Sequence, residues 1–332
     1  MGTIIKAVSS CVPKNKVLSS DIEEKLSRTF SWVSFWILEE MTWVKQRYFV
    51  SDNEYPSDLS VQAGRECLEE SEINKKDIDL LIFASASQDI TEPATANIVQ
   101  KWLWLECPVF DIKNACNSFL NAMDIADSLL ESWKYENILI VSWETPSKAI
   151  KFDIEGREEF KNYFAGYTLW DAGAAMLLWR SLGKNWIQHS YFCSDGKTWD
   201  FATIMWGGAR FFNDVSKNYF FGDPGKIRDK FISMWSGEFD KWLEKLGWEK
   251  SSIKKVFAHQ VAMSNFDYLS DILWVEKQKF SVILPEYGNI ASCCIPTSFD
   301  KYIKTNNLEE WDRIVFMWFA SGFSYGLIFY EV

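Results

Sequence analysis

The stretch Phe110-Asp111-Ile112-Lys113-Asn114-Ala115-Cys116-Asn117-Ser118-Phe119 decides how the rest of the chain is read. The apolar run that ends at Ile112 predicts a strand over 108–112. A helix is predicted over 117–132, because Phe119, Leu120, Met123, Ala126, Leu129 and Leu130 recur at spacings of three and four and form one stripe. Between them lies a tight turn with a cysteine at the helix opening. Free amides and the positive end of the helix dipole at such a place favour a thiolate, and the same amides can hold an oxyanion. Cys116 therefore reads as a nucleophile. It reads equally as one more buried structural thiol, the usual fate of a free cysteine.

Outward from this turn the same grammar repeats. Ile4–Val8, Leu80–Ala84 and Ile138–Val141 predict strands, the second being a continuous apolar run of the kind buried on both faces. Ser57 is placed to cap a helix running to about Glu70, and Ala94–Leu103 predicts another after Pro93. In the second half, helical sequence at about Lys226–Leu246 precedes a strand at Ile253–Ala258 and a helix beyond Val261. Val282-Ile283 leads to a Gly288-Asn289 turn, a helix starts near Ala291, and strands at Arg313–Phe319 and Tyr325–Tyr330 close the chain. Such alternation predicts an α/β fold of parallel sheets with helices on both faces, in two halves of like architecture, 1–175 and 176–332.

Composition bounds the function. With 332 residues, 48% of them hydrophobic and 24% charged, the chain can bury a full core, which excludes disorder, collagen-like repeats and a small disulfide scaffold. Net charge is −11 and the basic residues are scattered, so no cationic face for nucleic acid is expected. Seven cysteines without a C-x-x-C pair, beside two histidines, predict a reduced compartment and no structural metal. The N-terminus lacks a signal-peptide layout and no apolar run is long enough to span a bilayer, so a cytoplasmic chain without membrane insertion is expected. The clusters Lys226/Arg228/Lys230 and Lys254/Lys255 read as solvated faces, or as a docking surface for an acidic carrier protein.

A cysteine nucleophile commonly works with an imidazole. His189 lies among polar residues before Tyr191-Phe192 and reads as a surface or strand-edge residue, whereas His259 follows the apolar Val256-Phe257-Ala258. That is the carboxyl end of a strand, where open α/β sheets place their ligands; a satisfied core histidine is the other reading. Asn289 reads as turn chemistry after Gly288, or as an amide donor at a third strand end. Asp171-Ala172-Gly173-Ala174-Ala175 and Ser321-Gly322-Phe323-Ser324-Tyr325-Gly326 match no phosphate loop and read as close backbone packing.

Taken together these residues resemble the thiolase-fold condensing enzymes of the 3-oxoacyl-acyl-carrier-protein synthase III group. The resemblance runs through Val12-Pro13, Thr42-Trp43-Val44-Lys45-Gln46-Arg47, Ser57-Asp58-Leu59, Pro93-Ala94-Thr95-Ala96, Phe110-Asp111-Ile112, Ala115-Cys116, Trp170-Asp171-Ala172-Gly173-Ala174, His259-Gln260, Tyr287-Gly288-Asn289 and Ser321-Gly322-Phe323. It implies a thiolase-like fold, duplicated βαβαβ halves in a five-layer αβαβα sandwich, and a homodimer without a cofactor that takes its substrates as coenzyme A or acyl-carrier-protein thioesters. It implies Cys116 as the acyl-accepting nucleophile, His259 and Asn289 as its partners in a decarboxylative Claisen condensation, and the Cys116 amide with one from the Ser321-Gly322 loop as an oxyanion site. Departures are plain. Val261-Ala262-Met263-Ser264 lacks the asparagine and the carrier-docking arginine of the family, and the residues that sandwich the coenzyme A adenine there fall on Ile37 and Met41. Glu92 stands where the family has an apolar residue reaching the partner subunit's acyl pocket, which implies a small or polar starter. These departures also fit an unusual starter in a lipid or cell-envelope pathway, or an inactive acyl-binding partner subunit.

Tryptophan usage is anomalous, with 18 tryptophans against 16 glycines. Trp43, Trp104, Trp133, Trp143, Trp170, Trp274, Trp311 and Trp318 fall where the resembled family has glycine. An indole at a glycine position brings strain or overpacking. The expectation is that a codon read as glycine in the source stands here as tryptophan.

Overall fold

A computed structural model describes residues 2–31, 36–51, 53–183, 186–234 and 237–332. Nine strands make its two main sheets: β1 (Gly2–Cys11), β2 (Leu80–Ala84), β3 (Val109–Ile112), β4 (Asn137–Glu144), β5 (Ala172–Ser181), β6 (Trp186–Ser194), β7 (Ile253–Ala258), β8 (Arg313–Ala320) and β9 (Ser324–Glu331). The first sheet runs in the order β1-β5-β4-β2-β3 and the second in the order β7-β8-β9-β6. The sheets part between Ser181 and Trp186, so β5 runs through residue 175 and belongs to the first.

Six helices cover the sheets: α1 (Pro56–Ser71), α2 (Thr95–Leu103), α3 (Ser118–Glu131), α4 (Glu238–Leu246), α5 (Met263–Leu273) and α6 (Cys294–Ile303). The layers follow from strand alternation, which sends successive side chains to opposite faces. Leu81, Phe83, Leu139 and Val141 meet α1 and α2 through Leu59, Val99 and Leu103. Leu80, Ile82, Ile138 and Ile140 point the other way, into a cluster shared by α3, α6 and the inner face of the second sheet, including Phe316 and Ile328. Val315, Met317 and Phe329 face outward onto α4 and α5. Helix, sheet, helix, sheet, helix: the five layers are those of a thiolase-like fold.

Several expectations need correction. The sheets are mixed, since β5 runs antiparallel to both β1 and β4, and β9 runs antiparallel to both β8 and β6. Residues 145–171 return the chain without a right-handed helical crossover, which only parallel neighbours need. Ser57 is not the cap of α1; Tyr55 is, its amide bonded to the Asp58 carboxylate at 2.9 Å, while the Ser57 amide donates to Asp89 at 3.0 Å. The helical stretch after Lys226 is two helices, Pro224–Met234 and α4, with residues 235–236 outside the described ones. Among the described residues no helix is long and apolar enough to cross a membrane.

Candidate active site

Cys116 stands two residues before α3, in the turn that leaves β3. The turn is tied by Asn117 N–H to the Asn114 carbonyl (3.0 Å) and Ser118 N–H to the Ala115 carbonyl (3.2 Å), with the Asn114 amide on Ser118 Oγ (2.8 Å). It is anchored across the sheet interface by the buried Asn117 side chain, whose amide donates to Ser324 Oγ at 3.3 Å. The sulfur's acidity runs against the expectation from the helix terminus. Burial pushes the Cys116 thiol well above its usual range, the Glu144 carboxylate and Cys294 push the same way, and only the bond from its own amide opposes them. Cys116 lies outside the first turn of α3, where the dipole effect is concentrated, so desolvation wins. At rest the Cys116 side chain is a neutral thiol.

His259 follows β7 directly, its amide bonded to the Met317 carbonyl at 3.0 Å. It is buried, and burial alone drives its pKa down from 6.5 to about 3. The imidazole is therefore neutral across the physiological range, and its Nδ1 has no protein partner. Asn289 does not follow a strand. It follows a short helix, Leu284–Tyr287, and Gly288 at φ 58° and ψ −156°. Only glycine fits there, because a Cβ would meet the Thr168 carbonyl oxygen at 2.8 Å. The Asn289 carboxamide oxygen accepts the Ala291 amide at 3.1 Å, which leaves its nitrogen as the donor.

Gln260 links the two halves of this arrangement. Its amide nitrogen donates to the Ser281 carbonyl (2.9 Å), and its oxygen accepts the amides of Ile283 (2.9 Å) and Leu284 (2.8 Å). The residue after His259 thereby fixes the segment that delivers Asn289. Asp171 does similar work for β5, accepting from Val50 N–H (2.8 Å), Ser147 N–H (3.0 Å) and Ser147 Oγ (2.5 Å), and burial raises its pKa to about 6.

Two indoles form the hub of the site. Trp318 stacks on His259 with ring centroids 5.0 Å apart. Trp170 stacks on Tyr287 at 5.4 Å, and its amide donates to the Asn289 carbonyl at 3.0 Å. Both belong to the inner core cluster against which Cys116 packs. Two described pockets, of about 560 and 330 Å³, lie beside Trp179 and beside Leu308, and neither is lined by Cys116, His259 or Asn289.

The loop between β8 and β9 carries Gly322 at φ 72°, while the Ser321 hydroxyl donates to the Ala202 carbonyl and so offers only its backbone. Three non-glycine residues are held at positive φ beside the predicted site: Ala115 (47°) before Cys116, Ala291 (43°) after Asn289, and Phe323 (37°) after Gly322. Strained backbone of this kind gathers where geometry is functional. Glu92 is exposed on the single chain, in the loop before α2.

Other readings resolve against function. His189 sits on β6 stacked on Trp242, with ring centroids 3.3 Å apart. Lys226, Lys230 and Lys254 pair with Asp223 (3.4 Å), Asp195 (2.5 Å) and Asp312 (3.3 Å), and Lys255 donates to the Gln278 carbonyl (2.9 Å), so these four described side chains each have a partner; the Arg228 side chain lies outside the described residues. Sequence reasoning missed Glu144. This buried carboxylate ends β4 and accepts from Ala86 N–H (2.8 Å), Ser87 N–H (3.2 Å), Ser87 Oγ (2.8 Å) and Ser292 Oγ. Its signal was an acid closing an otherwise apolar strand.

Comparison with known proteins identifies the family and the fold. The family described as 3-oxoacyl-[acyl-carrier-protein (ACP)] synthase III matches residues 110–196, and its C-terminal counterpart matches residues 243–332. The beta-ketoacyl-[acyl-carrier-protein] synthase III of Neisseria gonorrhoeae is 26% identical over 327 residues, covering 98% of this chain and 97% of that one. Its namesake from Clostridium perfringens is 28% identical, covering 95% of this chain and 94% of its own. Among solved structures, Xanthomonas campestris OleA with bound lauric acid and lauroyl-CoA superposes with a TM-score of 0.90 at 24% identity, covering 100% of this chain and 99% of that one. The cerulenin-bound form gives 0.91 at 24%, covering 100% and 97%. The structural likeness establishes the fold.

Proposed function

The chain belongs to the 3-oxoacyl-[acyl-carrier-protein] synthase III family, and from that premise we propose that it is an acyltransferase joining an acyl thioester to a malonyl thioester through an acyl-Cys116 intermediate. The observation that carries the proposal is a neutral histidine and a donor-oriented asparagine gathered, with the nucleophile turn, around one buried cluster.

The chemistry follows from the protonation states. Cys116 is a thiol, so its attack on the acyl carbonyl needs a proton acceptor; a neutral His259 takes the proton as the carbon–sulfur bond forms, its transient positive charge offset by the oxyanion made in the same step. The departing thiol takes that proton, and the new thioester is close in energy to the old one. Malonyl thioester then loses carbon dioxide, and its carbonyl oxygen gains the charge of an enolate. His259 and the Asn289 nitrogen donate hydrogen bonds to that oxygen. Because burial keeps the imidazole neutral, it donates without the cost of a buried cation. The enolate carbon attacks the acyl-Cys116 carbonyl, whose oxyanion rests on the Cys116 amide and one from the Ser321-Gly322 loop. Collapse expels the Cys116 thiolate and releases the 3-oxoacyl product, and the sulfur takes up one proton from solvent to return to the resting thiol.

Mass spectrometry tests this. Acyl-CoA should add one acyl group at Cys116, Cys116→Ala should abolish the adduct, and Cys116→Gln should decarboxylate malonyl thioester without condensation. Release of free acid with no malonyl donor would mean a hydrolase, and no adduct at all would mean a binding subunit. A small or polar starter is part of the proposal, on the strength of Glu92; an octanoyl adduct clearly outcompeting acetyl overturns that part. Homodimer formation is the companion proposal. The edge strand β3 offers an open flank and an exposed Phe110, and such an edge is satisfied by a second copy. Light scattering that gives a monomer mass removes it.

A further inference from the structure

Ten non-glycine residues among those described have positive φ, and six of them are tryptophan: Trp36 (78°), Trp43 (66°), Trp104 (60°), Trp133 (63°), Trp274 (54°) and Trp311 (75°). For a bulky side chain this region is a genuine outlier. The fold itself supplies the comparison. Trp43, Trp104 and Trp274 close helices in the left-handed conformation, their amides turned back to Glu39, to Gln100 and Lys101, and to Ser270. Gly247 closes α4 in the same way at φ 66°. Trp36 opens a helix at φ 78° and ψ 0°, as Gly237 opens α4 at φ 75° and ψ 6°. Glycine is the default at such caps. All six indoles are at least half exposed, so little packing is gained in return.

Three more tryptophans show the opposite fault. Trp143, Trp170 and Trp318 are the largest fully buried side chains, and each indole N–H lacks a partner. Buried indoles ordinarily find one. Trp143 faces Gly173, and Trp318 faces Gly326. Those glycines answer to other neighbours, since their missing Cβ atoms would meet Leu59 O at 2.6 Å and the Phe192 ring at 2.6 Å. Trp199, Trp242 and Trp248 behave normally. Trp199 has φ −57°, Trp242 lies within α4, and Trp248 packs on Phe329 with Arg313 over its ring at 5.1 Å. The partnerless N–H of Trp242 shows that an orphan donor alone does not separate the two groups; full burial or positive φ does.

We propose that these nine positions, Trp36 included, are glycine in the protein its host makes, one codon being decoded there as glycine, and that glycine at 318 opens substrate space beside His259 and glycine at 170 beside the Gly288-Asn289 turn. The second part rests on the condensing reading. Each of the two indoles fills a volume comparable to the ~150 Å³ that holds a benzene. The two volumes together match the ~300 Å³ lower end of small-molecule pockets.

Peptide mass spectrometry on the protein from its own cells should show glycine at all nine positions and tryptophan at 199, 242 and 248; tryptophan at the nine overturns the proposal. Recombinant chains read the consequences separately. Trp104→Gly and Trp274→Gly should each raise the unfolding midpoint by roughly 2–4 °C, whereas Trp248→Gly should lower it. Lower midpoints for the first two refute the glycine assignment. The nine-glycine chain, offered acetyl-CoA, should acylate Cys116 at least tenfold faster than the all-tryptophan chain. Equal rates refute the space at 170 and 318. A nine-glycine chain that is more stable yet forms no adduct retains the glycines and rejects the condensing reading.

Discussion

Gln260→Leu separates positioning from chemistry in this site. Leucine keeps nearly the same volume and removes all three hydrogen bonds, leaving the buried amides of Ile283 and Leu284 and the Ser281 carbonyl without their partner. Three orphaned groups at about 1–3 kcal/mol each set a gross cost of roughly 3–9 kcal/mol. Burying an apolar side chain returns about 1.5–3 kcal/mol, and relaxation of the 281–284 segment returns more. A net loss of about 2–4 kcal/mol is expected, large for one substitution yet within a total stability of ~5–15 kcal/mol.

Urea titration measures that loss as a lower midpoint at constant slope. The half-reactions then show where the strain goes. Gln260 fixes the segment that delivers Asn289, while His259 keeps its own bond to the Met317 carbonyl. Acylation of Cys116 should hold within a few-fold, whereas malonyl decarboxylation, which needs the Asn289 donor, should fall on the order of 10–1000-fold. Equal losses in both half-reactions, or a stability change under about 0.5 kcal/mol, would show that Gln260 is not the link between the two partners.

The depressed pKa of His259 predicts a stability profile. Unfolded histidine takes up a proton near its ordinary 6.5, the folded one only near about 3, so stability rises with pH across that window and is lost as pH falls through it, by about 5 kcal/mol at most. Asp171, raised to about 6, works in the opposite direction. Urea titrations of the parent and of His259→Gln between roughly pH 7 and pH 4 should converge as pH falls, and a constant gap contradicts the burial argument. Gly288→Ala should cost about 2–4 kcal/mol, because its Cβ meets the Thr168 carbonyl in a conformation only glycine adopts; a neutral result in thermal unfolding contradicts it. Glu144→Gln should lower the Cys116 thiol pKa by removing a carboxylate charge that pushes it up. Iodoacetamide labelling at mildly alkaline pH should then be faster, and an unchanged rate excludes that coupling.

The strands of the two sheets were legible because alternation and apolar runs report local burial. β2 matched residue for residue, and α3 fell within one residue of its expected ends. Strand direction was not legible. Whether β5 returns parallel or antiparallel depends on where residues 145–171 pack, and much of that stretch joins a separate cluster around Leu26, Phe160 and Tyr167. Ser57 failed as a cap for a similar reason: its amide is taken by Asp89, far along the chain, and the Tyr55-Asp58 pair closes the helix instead.

The site divides along the same line. Cys116, His259 and Asn289 stood out in the sequence because nucleophiles and donors sit where elements end, and element ends show in a sequence. Their acid–base state was hidden, because it is set by what surrounds them. The helix terminus predicted a thiolate at Cys116, yet burial and Glu144 hold a thiol. A thiol and a neutral imidazole need no buried counterion, whereas a thiolate held at the same depth would be a buried charge without one. The uncharged pair also explains why burying both groups against the hub of Trp170 and Trp318 is tolerated electrostatically. What the hub lacks is room, since the two indoles press on His259 and on the Asn289 turn from opposite halves of the chain. The acyl transfer proposed for these residues needs space that two unsatisfied indoles take up, a contradiction in the residues themselves. Glycine at 170 and 318 removes it without altering Cys116, His259 or Asn289.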